Sequence, residues 1–376
     1  MIINVVTTGP DVGVQLLDAL QSYCQSELDP TCANWIVQVS ESHNAQADVN
    51  IIWSGGNLPG DYNSYDLVML SNGGEPIAVS RPTIHEHWEK ENVFLVFNSL
   101  VTQDHLLHNK IIYFPDPVQQ CRDYWTRYFY PHYYTANEYS RLRQSKDIIA
   151  VMGANRTVRY YVNSMIAENT SIKILNGVSE QLINTNHSYW ESTEDFEFRN
   201  TLEEKHQHEF VPESDSTYYS DVPTIGIDGK FGEVPKGYEL MTEYFTHRCV
   251  VFPESSWQNN ELAITEKALK CFYAGSLPFP IAGANVNKLY NSIGYATAWN
   301  LLPREHQKFD EELDHFKRIN MMIDALKWIE DNPFALQSDE FAELTRQNKL
   351  KMLTYSPVEH GVNKLVEIID ECRCRH

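Results

Sequence analysis

Hydrophobic and polar positions divide the chain into two series of short apolar runs. The first series predicts six strands: IINVV (2–6), NWIVQV (34–39), VNIIW (49–53), DLVML (66–70), VFLVF (93–97) and IIYF (111–114). The second predicts strands at DIIAVMG (147–153), SIKIL (171–175), PTIGI (223–227), CVVF (249–252), LPFPIA (277–282) and GYATA (294–298). Polar or helical segments separate these runs, an alternation typical of mainly parallel sheets.

Helical periodicity appears at both ends of the chain. An amphipathic pattern predicts a helix over 14–23, directly after the first strand. From Asp310 onward, apolar residues recur at spacings of three or four and predict further helices; they are Phe316, Ile319, Ile323 and Leu326.

The fold class that these patterns predict is α/β, with two Rossmann-like domains facing across a cleft. The aromatic segment 124–146 separates the two strand series, and a domain boundary is expected within 135–146. A length of 376 residues also favours two domains, at roughly 150 residues each. We expect domains at 1–140 and 141–355, and a C-terminal helix in 356–376 that packs back on the first domain.

Composition excludes several classes of protein. The formal charge of −21 argues against nonspecific binding of nucleic acid, which requires a positive surface. No apolar run approaches the roughly 18–20 residues of a transmembrane helix. The beginning MIINVV lacks a basic region typical of a signal peptide, and seven cysteines, mostly far apart, suit a reducing compartment. The expected location is cytoplasmic.

The stretch ITEKALKCFYAGSLPFPIAG (264–283) predicts a helix that begins at Thr-Glu-Lys and leads into a buried strand. Thr265 is the expected N-cap, and Gly275 supplies a left-handed exit. The Glu266 carboxylate can accept both hydroxyls of a ribose, and Lys267 can bind a diphosphate beside the N–H groups of the first turn. Glu and Lys are also common at helix starts, so a purely structural role stays open.

A second candidate anion site lies in DIIAVMGANRTVRYYVNSMI (147–166), which predicts a strand, a loop with glycine and a helix. Arg156 and Arg159 fall in the loop and the first helical turn, where guanidinium groups and the helix dipole act together on an anion. The alternative is two solvated arginines on a surface helix.

Residues CVVFPESSWQNNELAITEKALKCFYAGSLPFPIAGAN (249–285) resemble the donor-binding segment of inverting α1,3-fucosyltransferases, glycosyltransferase family 10. Shared features are the Thr-Glu-Lys helix start, the Ala-Gly exit and the strand with proline. Viral and marine-microbial sugar transferases have a similar arrangement. Ala263 stands where the family has a tyrosine, and FPES stands where FENS is typical, so GDP-fucose is one candidate donor among several.

The resemblance implies a GT-B glycosyltransferase that moves a sugar from a nucleoside diphosphate-sugar to a glycan or other hydroxyl acceptor, with inversion. Domain 1–140 would bind the acceptor and domain 141–355 the nucleotide-sugar. Arg159 matches the family's diphosphate-binding arginine by position, with Arg156 as its neighbour. Glu254, Thr265, Glu266 and Lys267 complete the expected donor site.

Neither a metal nor another cofactor is expected. No two aspartates lie two residues apart, so the Asp-x-Asp motif of metal-dependent transferases is absent. Cationic side chains and helix amides would instead neutralise the leaving diphosphate. The pairs His85/His87 and His206/His208 are poor zinc candidates, since side chains two apart converge only on a strand.

An inverting transfer also needs a base for the acceptor hydroxyl. Gly74-Glu75 resembles the Gly-Glu-Asn loop that carries the base in family 10, which makes Glu75 the candidate; His85 and His87 are alternatives. Three other functions stay open: a sugar-nucleotide epimerase of GT-B-like fold, a non-catalytic sugar-binding protein, and another nucleotide chemistry on Rossmann-like domains.

Overall fold

The structure is a computed structural model that describes residues 1–8, 14–25, 32–55, 60–72, 90–97, 110–113, 146–152, 157–176, 242–254, 265–354 and 361–374. The chain divides into two compact units. The first unit comprises Met1–Gln119 and Tyr355–His376, and the second comprises Gln120–Thr354. The predicted domain boundary lies in 135–146, of which only Lys146 is described, and it stays a prediction.

A six-stranded parallel sheet forms the centre of the first unit. Its strands are β1 (Ile2–Thr7), β2 (Ile36–Ser40), β3 (Val49–Gly55), β4 (Leu67–Asn72), β5 (Val93–Phe97) and β6 (Ile111–Tyr113). Their spatial order is β2-β1-β3-β4-β5-β6, and every neighbouring pair is parallel. The chain therefore adds β2 on one side of β1 and the later strands on the other.

Both faces of the sheet are buried at strands β1, β3, β4 and β5, which explains their nearly continuous apolar runs; the edge strand β2 exposes Ile36 and Val39. On one face, Val5 and Ile51 belong to a core cluster that also contains residues of α1 (Val14–Gln25) and α9 (Asn363–Arg373). The opposite face carries a second cluster, which includes Val68. Successive strand residues point to opposite faces, so the runs of these four strands supply both cores.

A four-stranded parallel sheet organises the second unit. Its strands are β7 (Lys146–Met152), β8 (Lys173–Asn176), β9 (His247–Pro253) and β10 (Leu277–Ile281), in the order β10-β9-β7-β8. The accompanying helices are α2 (Thr157–Asn169), α3 (Thr242–Thr246), α4 (Glu266–Ala274), α5 (Val286–Ser292), α6 (Arg304–Gln307), α7 (His315–Asp331) and α8 (Asp339–Leu353).

Side chains cap the N-termini of two helices of the second unit, α7 and α8. Asp314 accepts a hydrogen bond from the Lys317 amide and caps α7, and Ser338 caps α8 by accepting one from the Phe341 amide. The apolar stripe of α7, which was predicted from its spacing, contributes to the core cluster that also contains residues of β9 and β10. The sequence-predicted helices after Asp310 are thus confirmed.

The α/β class and the parallel sheets are confirmed. Each predicted strand that the structure describes lies within two residues of its expected bounds, except GYATA. PTIGI lies outside the described residues.

The strand prediction at 294–298 is wrong. Gly294 has φ +80°, and the segment from Ala298 forms a short 3-10 turn. The side chain of Asn348 on α8 satisfies both backbone groups of Ala296: its Oδ1 accepts from the amide and its Nδ2 donates to the carbonyl, each at 2.8 Å. A side-chain amide has replaced the neighbouring strand as the hydrogen-bond partner.

Candidate functional site

The topology of the second unit places two helix starts at neighbouring strand ends. β7 is the first strand of this sheet; the chain then adds β8 on one side of β7, and β9 and β10 on the other. Ligands of open parallel sheets bind at such a switch point, beyond the carboxyl ends of the strands. The chain continues from β7 toward α2 and from β9 toward α4. Both helices therefore begin near the switch point, which lies between β7 and β9.

Helix α4 is held in place by burial along most of its length. Every residue from Ala268 to Ala274 is buried, including Lys270, and the helix contacts β10, α3 and α8. Gly275 ends it with φ +77°, in the left-handed region that favours glycine, while the amides of Gly275 and Ser276 donate to the Cys271 carbonyl. The first turn, in contrast, is only half-buried.

A buried carboxylate lies next to the start of this helix. Glu254 follows β9 directly, its amide donates to the Ile281 carbonyl at 2.9 Å, and the residue is 2% exposed. Its Oε2 accepts from the Thr265 hydroxyl at 2.9 Å, and its Oε1 accepts from the Tyr290 hydroxyl at 3.3 Å. We call Glu254, Thr265 and Tyr290 the Glu254 cluster.

Thr265 occupies the N-cap position, as expected, but its side chain does not cap the helix. An N-cap hydroxyl ordinarily accepts a hydrogen bond from the first turn. In this structure the Thr265 hydroxyl donates to Glu254 instead, so a tertiary contact has replaced the local one that the sequence predicted.

Glu266 and Lys267 form an ion pair on the first turn. The Lys267 Nζ lies 3.2 Å from Glu266 Oε1, and the two side chains are 13% and 28% exposed, respectively. Burial raises the pKa of Glu266, but the charges of Lys267 and Lys270 and hydrogen bonds to its carboxylate outweigh burial and lower that pKa overall. Glu266 is therefore ionised at neutral pH, and a carboxylate and an ammonium stand together at the helix start.

Helix α5 positions Tyr290 through its own anchored N-terminus. The buried Asp310 carboxylate accepts hydrogen bonds from the amides of Asn287 and Lys288, at 3.0 and 3.1 Å. Burial raises the pKa of Asp310 despite these bonds. The Tyr290 ring packs edge-on against Phe272 of α4, with 6.2 Å between ring centroids. No sequence pattern had singled out Tyr290.

The predicted site residues fall into three groups. Glu254, Thr265, Glu266 and Lys267 lie together around the start of α4. Arg159 lies in the first turn of α2, at the sheet edge described above, but its side chain is not among those described. The third group lies outside the described residues and comprises Arg156, Glu75, His85, His87, His206 and His208.

Comparison with known proteins gives a distant structural likeness. No protein-family model matches the chain, and no curated protein matches it. Among solved structures, the crystal structure of an α1,3-fucosyltransferase has a TM-score of 0.44 and 9% identity, and the match covers 99% of this chain and 90% of that one. Among the described residues, no helix is both long and apolar enough to cross a membrane. A likeness at this TM-score establishes no family, so function has to be inferred from the residues themselves.

Proposed function

We propose that this protein is a glycosyltransferase that uses a nucleoside diphosphate-sugar as its donor. The observation that carries the proposal is the pairing of an ionised Glu266 with Lys267 on the first turn of α4, beside the switch point of a parallel sheet. The resemblance of 249–285 to a donor-binding segment supports the same site.

In this proposal, each charged group has a role toward the donor. Glu266 accepts hydrogen bonds from the ribose hydroxyls, and Lys267 turns from Glu266 toward the diphosphate when the donor binds. Arg159 and Arg156 approach the diphosphate from the start of α2, with forked donors that match phosphate oxygens. Glu254 is buried, and the half-buried Thr265 is hydrogen-bonded to it at the start of the first turn.

The proposal extends to the stereochemistry of the transfer, the use of metal, the catalytic base, the donor and the location of the protein. Transfer inverts the configuration at the sugar and needs no metal, because cationic side chains neutralise the departing diphosphate. Glu75 removes the proton of the acceptor hydroxyl, which is bound by the first domain. A GDP-linked sugar is one candidate donor among several, and the protein works in the cytoplasm.

A thermal-shift screen tests the donor site. The protein is heated with GDP, UDP, CDP, ADP and their sugars, each with and without EDTA; we expect one base to raise the melting temperature and EDTA to leave that rise unchanged. If Lys267→Ala weakens binding tenfold, a ligand at 100 times its Kd would stabilise by about 1.4 instead of about 2.7 kcal/mol. Lys364→Ala is the control, since Lys364 pairs with Glu367 at 3.3 Å in the first unit.

The reaction itself distinguishes the alternatives. The identified donor is incubated without acceptor: a transferase gives slow hydrolysis at most, whereas an epimerase converts the sugar of the intact nucleotide. A non-catalytic sugar-binding protein would bind glycans and give no shift with any nucleotide. Either of the latter results contradicts the proposal.

A further inference from the structure

We infer that the Glu254 cluster positions the first turn of α4 for its ligand, and that Tyr290 is therefore a positioning residue of the donor site. This inference rests on the proposed function. It assigns Glu254 and Thr265 a role different from direct contact with the donor, and it adds a residue that the sequence did not single out.

Burial and hydrogen bonding argue that Glu254 acts through other residues. The residue is 2% exposed, and each of its carboxylate oxygens already accepts a hydroxyl hydrogen bond. Tyr290, which is fully buried, reaches Glu254 from another helix. A donor molecule would have to break these bonds to reach the carboxylate, which is costly for a buried charge.

The cluster joins three elements at one point. Glu254 lies at the end of β9, Thr265 at the start of α4 and Tyr290 on α5. Thr265 directly precedes Glu266 and Lys267, so the bond to Glu254 sets where the chain enters the first turn. Any displacement of Glu254 is transmitted to the two charged residues through one or two peptide units.

The direction of the Thr265 hydroxyl has a second consequence. The Thr265 hydroxyl donates its proton to Glu254 and accepts no hydrogen bond from the first-turn N–H groups, which an N-cap side chain usually does. An anionic ligand then meets a helix start that no Thr265 side chain blocks. A carboxylate suits this task, since it accepts from both hydroxyls at once and charge-assisted hydrogen bonds are the stronger class.

The chemistry of Tyr290 fixes the direction of its hydrogen bond. Burial, and then the negative charge of Glu254, raise the pKa of Tyr290 well above its ordinary value. The phenol therefore keeps its proton and remains a donor throughout the physiological range.

Four variants separate positioning from general stability. Thr265→Val and Tyr290→Phe each remove one hydroxyl with little change of shape, and Thr265→Ser restores the hydroxyl of Thr265. Tyr295→Phe is the matched control: Tyr295 is also a buried tyrosine, its ring stacks on Phe272 at 4.4 Å, and no hydrogen bond between its hydroxyl and Glu254 is present. The probes are GDP, UDP, CDP and ADP.

Two measurements are made on each variant. Hydrogen–deuterium exchange without ligand follows the amides of Glu266–Ala268; we expect faster exchange in Thr265→Val and Tyr290→Phe, and wild-type exchange in Thr265→Ser and Tyr295→Phe. Titration with the nucleotide that stabilises the unaltered protein should show roughly three- to tenfold weaker binding for the first two variants. Their double variant should lose less than the product of the two effects, because both hydroxyls act through Glu254.

The outcomes distinguish this inference from the proposed function. If the variants melt at lower temperature but bind the nucleotide as tightly as the unaltered protein, the cluster is merely structural and the inference is overturned, while the proposed function stands. If hydrogen–deuterium exchange in the first turn of α4 is the same in the variants as in the unaltered protein, the inference that the Glu254 cluster positions this turn is overturned, whatever the nucleotide affinities are. If none of the four nucleotides stabilises the unaltered protein, the proposed function is overturned and the inferred ligand role goes with it.

Discussion

Acidification from pH 7 to pH 5 is predicted to destabilise the second unit through His315. The half-buried imidazole accepts a hydrogen bond at Nδ1 from Nη2 of Arg318, at 2.5 Å. Arg318 is fully buried and also donates to the carbonyls of Ala282 and Glu312, so it ties α7 to the end of β10. Protonation of His315 would remove the acceptor and place two cations side by side.

The pKa gives the sign and size of the effect. Burial, followed by the charge of Arg318, lowers the pKa of His315 from 6.5 to about 4, with Asp314 opposing the shift. Between these values the unfolded chain binds a proton that the folded chain does not, so stability falls as the pH falls. At pH 5 the linkage amounts to about 2 kcal/mol. Solvent screening of a partly exposed group reduces this to about 1 kcal/mol.

Urea unfolding of the wild type and His315→Asn at pH 7 and pH 5 measures how much unfolding free energy is lost on acidification because of His315. The asparagine Oδ1 can accept from Arg318 and does not titrate, so the variant should lose about 1 kcal/mol less stability on acidification. His43→Asn, which removes an exposed imidazole in the first unit, is the control. Equal losses in the wild type and His315→Asn would refute the reasoning.

Two further substitutions test the packing around the site. Asn348→Leu leaves the buried amide and carbonyl of Ala296 without their partner and should lower the free energy of unfolding by about 2–5 kcal/mol. The control Asn320→Leu, at an exposed position, should lower it little. Similar free energies of unfolding for the two variants in urea titrations would contradict this role of Asn348. Gly275→Ala forces an alanine into φ +77° and should lower the free energy of unfolding by about 1–2 kcal/mol. The control in the same urea assay is Gly60→Ala, because a Cβ added at Gly60 meets nothing within 4 Å. A Gly275→Ala protein as stable as Gly60→Ala would show that the left-handed exit carries no strain.

Local patterns account for what the sequence predicted well. Apolar runs of four to seven residues define most strands because both faces of the inner strands are buried. The left-handed exit at Gly275 follows from residues beside it in the chain. The stripe on α7 is visible because helical periodicity is itself a local property.

Long-range polar contacts account for what the sequence did not predict. Tyr290 meets Glu254 across 36 positions and Asn348 meets Ala296 across 52, and neither pair belongs to any repeating pattern. The N-cap rule for Thr265 failed for the same reason: a buried carboxylate brought close by β9 competed with the first-turn amides for one hydroxyl. Local sequence propensity indicates which hydrogen bonds a residue can make with its neighbours in the chain, and tertiary contacts decide which of them forms.

Charge balance at the start of α4 explains why the arginines of α2 matter to the proposed site. At the start of α4 the ammonium group of Lys267 is paired with the ionised carboxylate of Glu266, so this pair contributes no net charge. A diphosphate needs a net positive surrounding, and the protein as a whole, at −21, does not supply one. The chain places Arg159 on the first turn of α2, at the same switch point, with Arg156 just before it. If the proposed function is correct, these arginines supply the positive charge that α4 alone lacks.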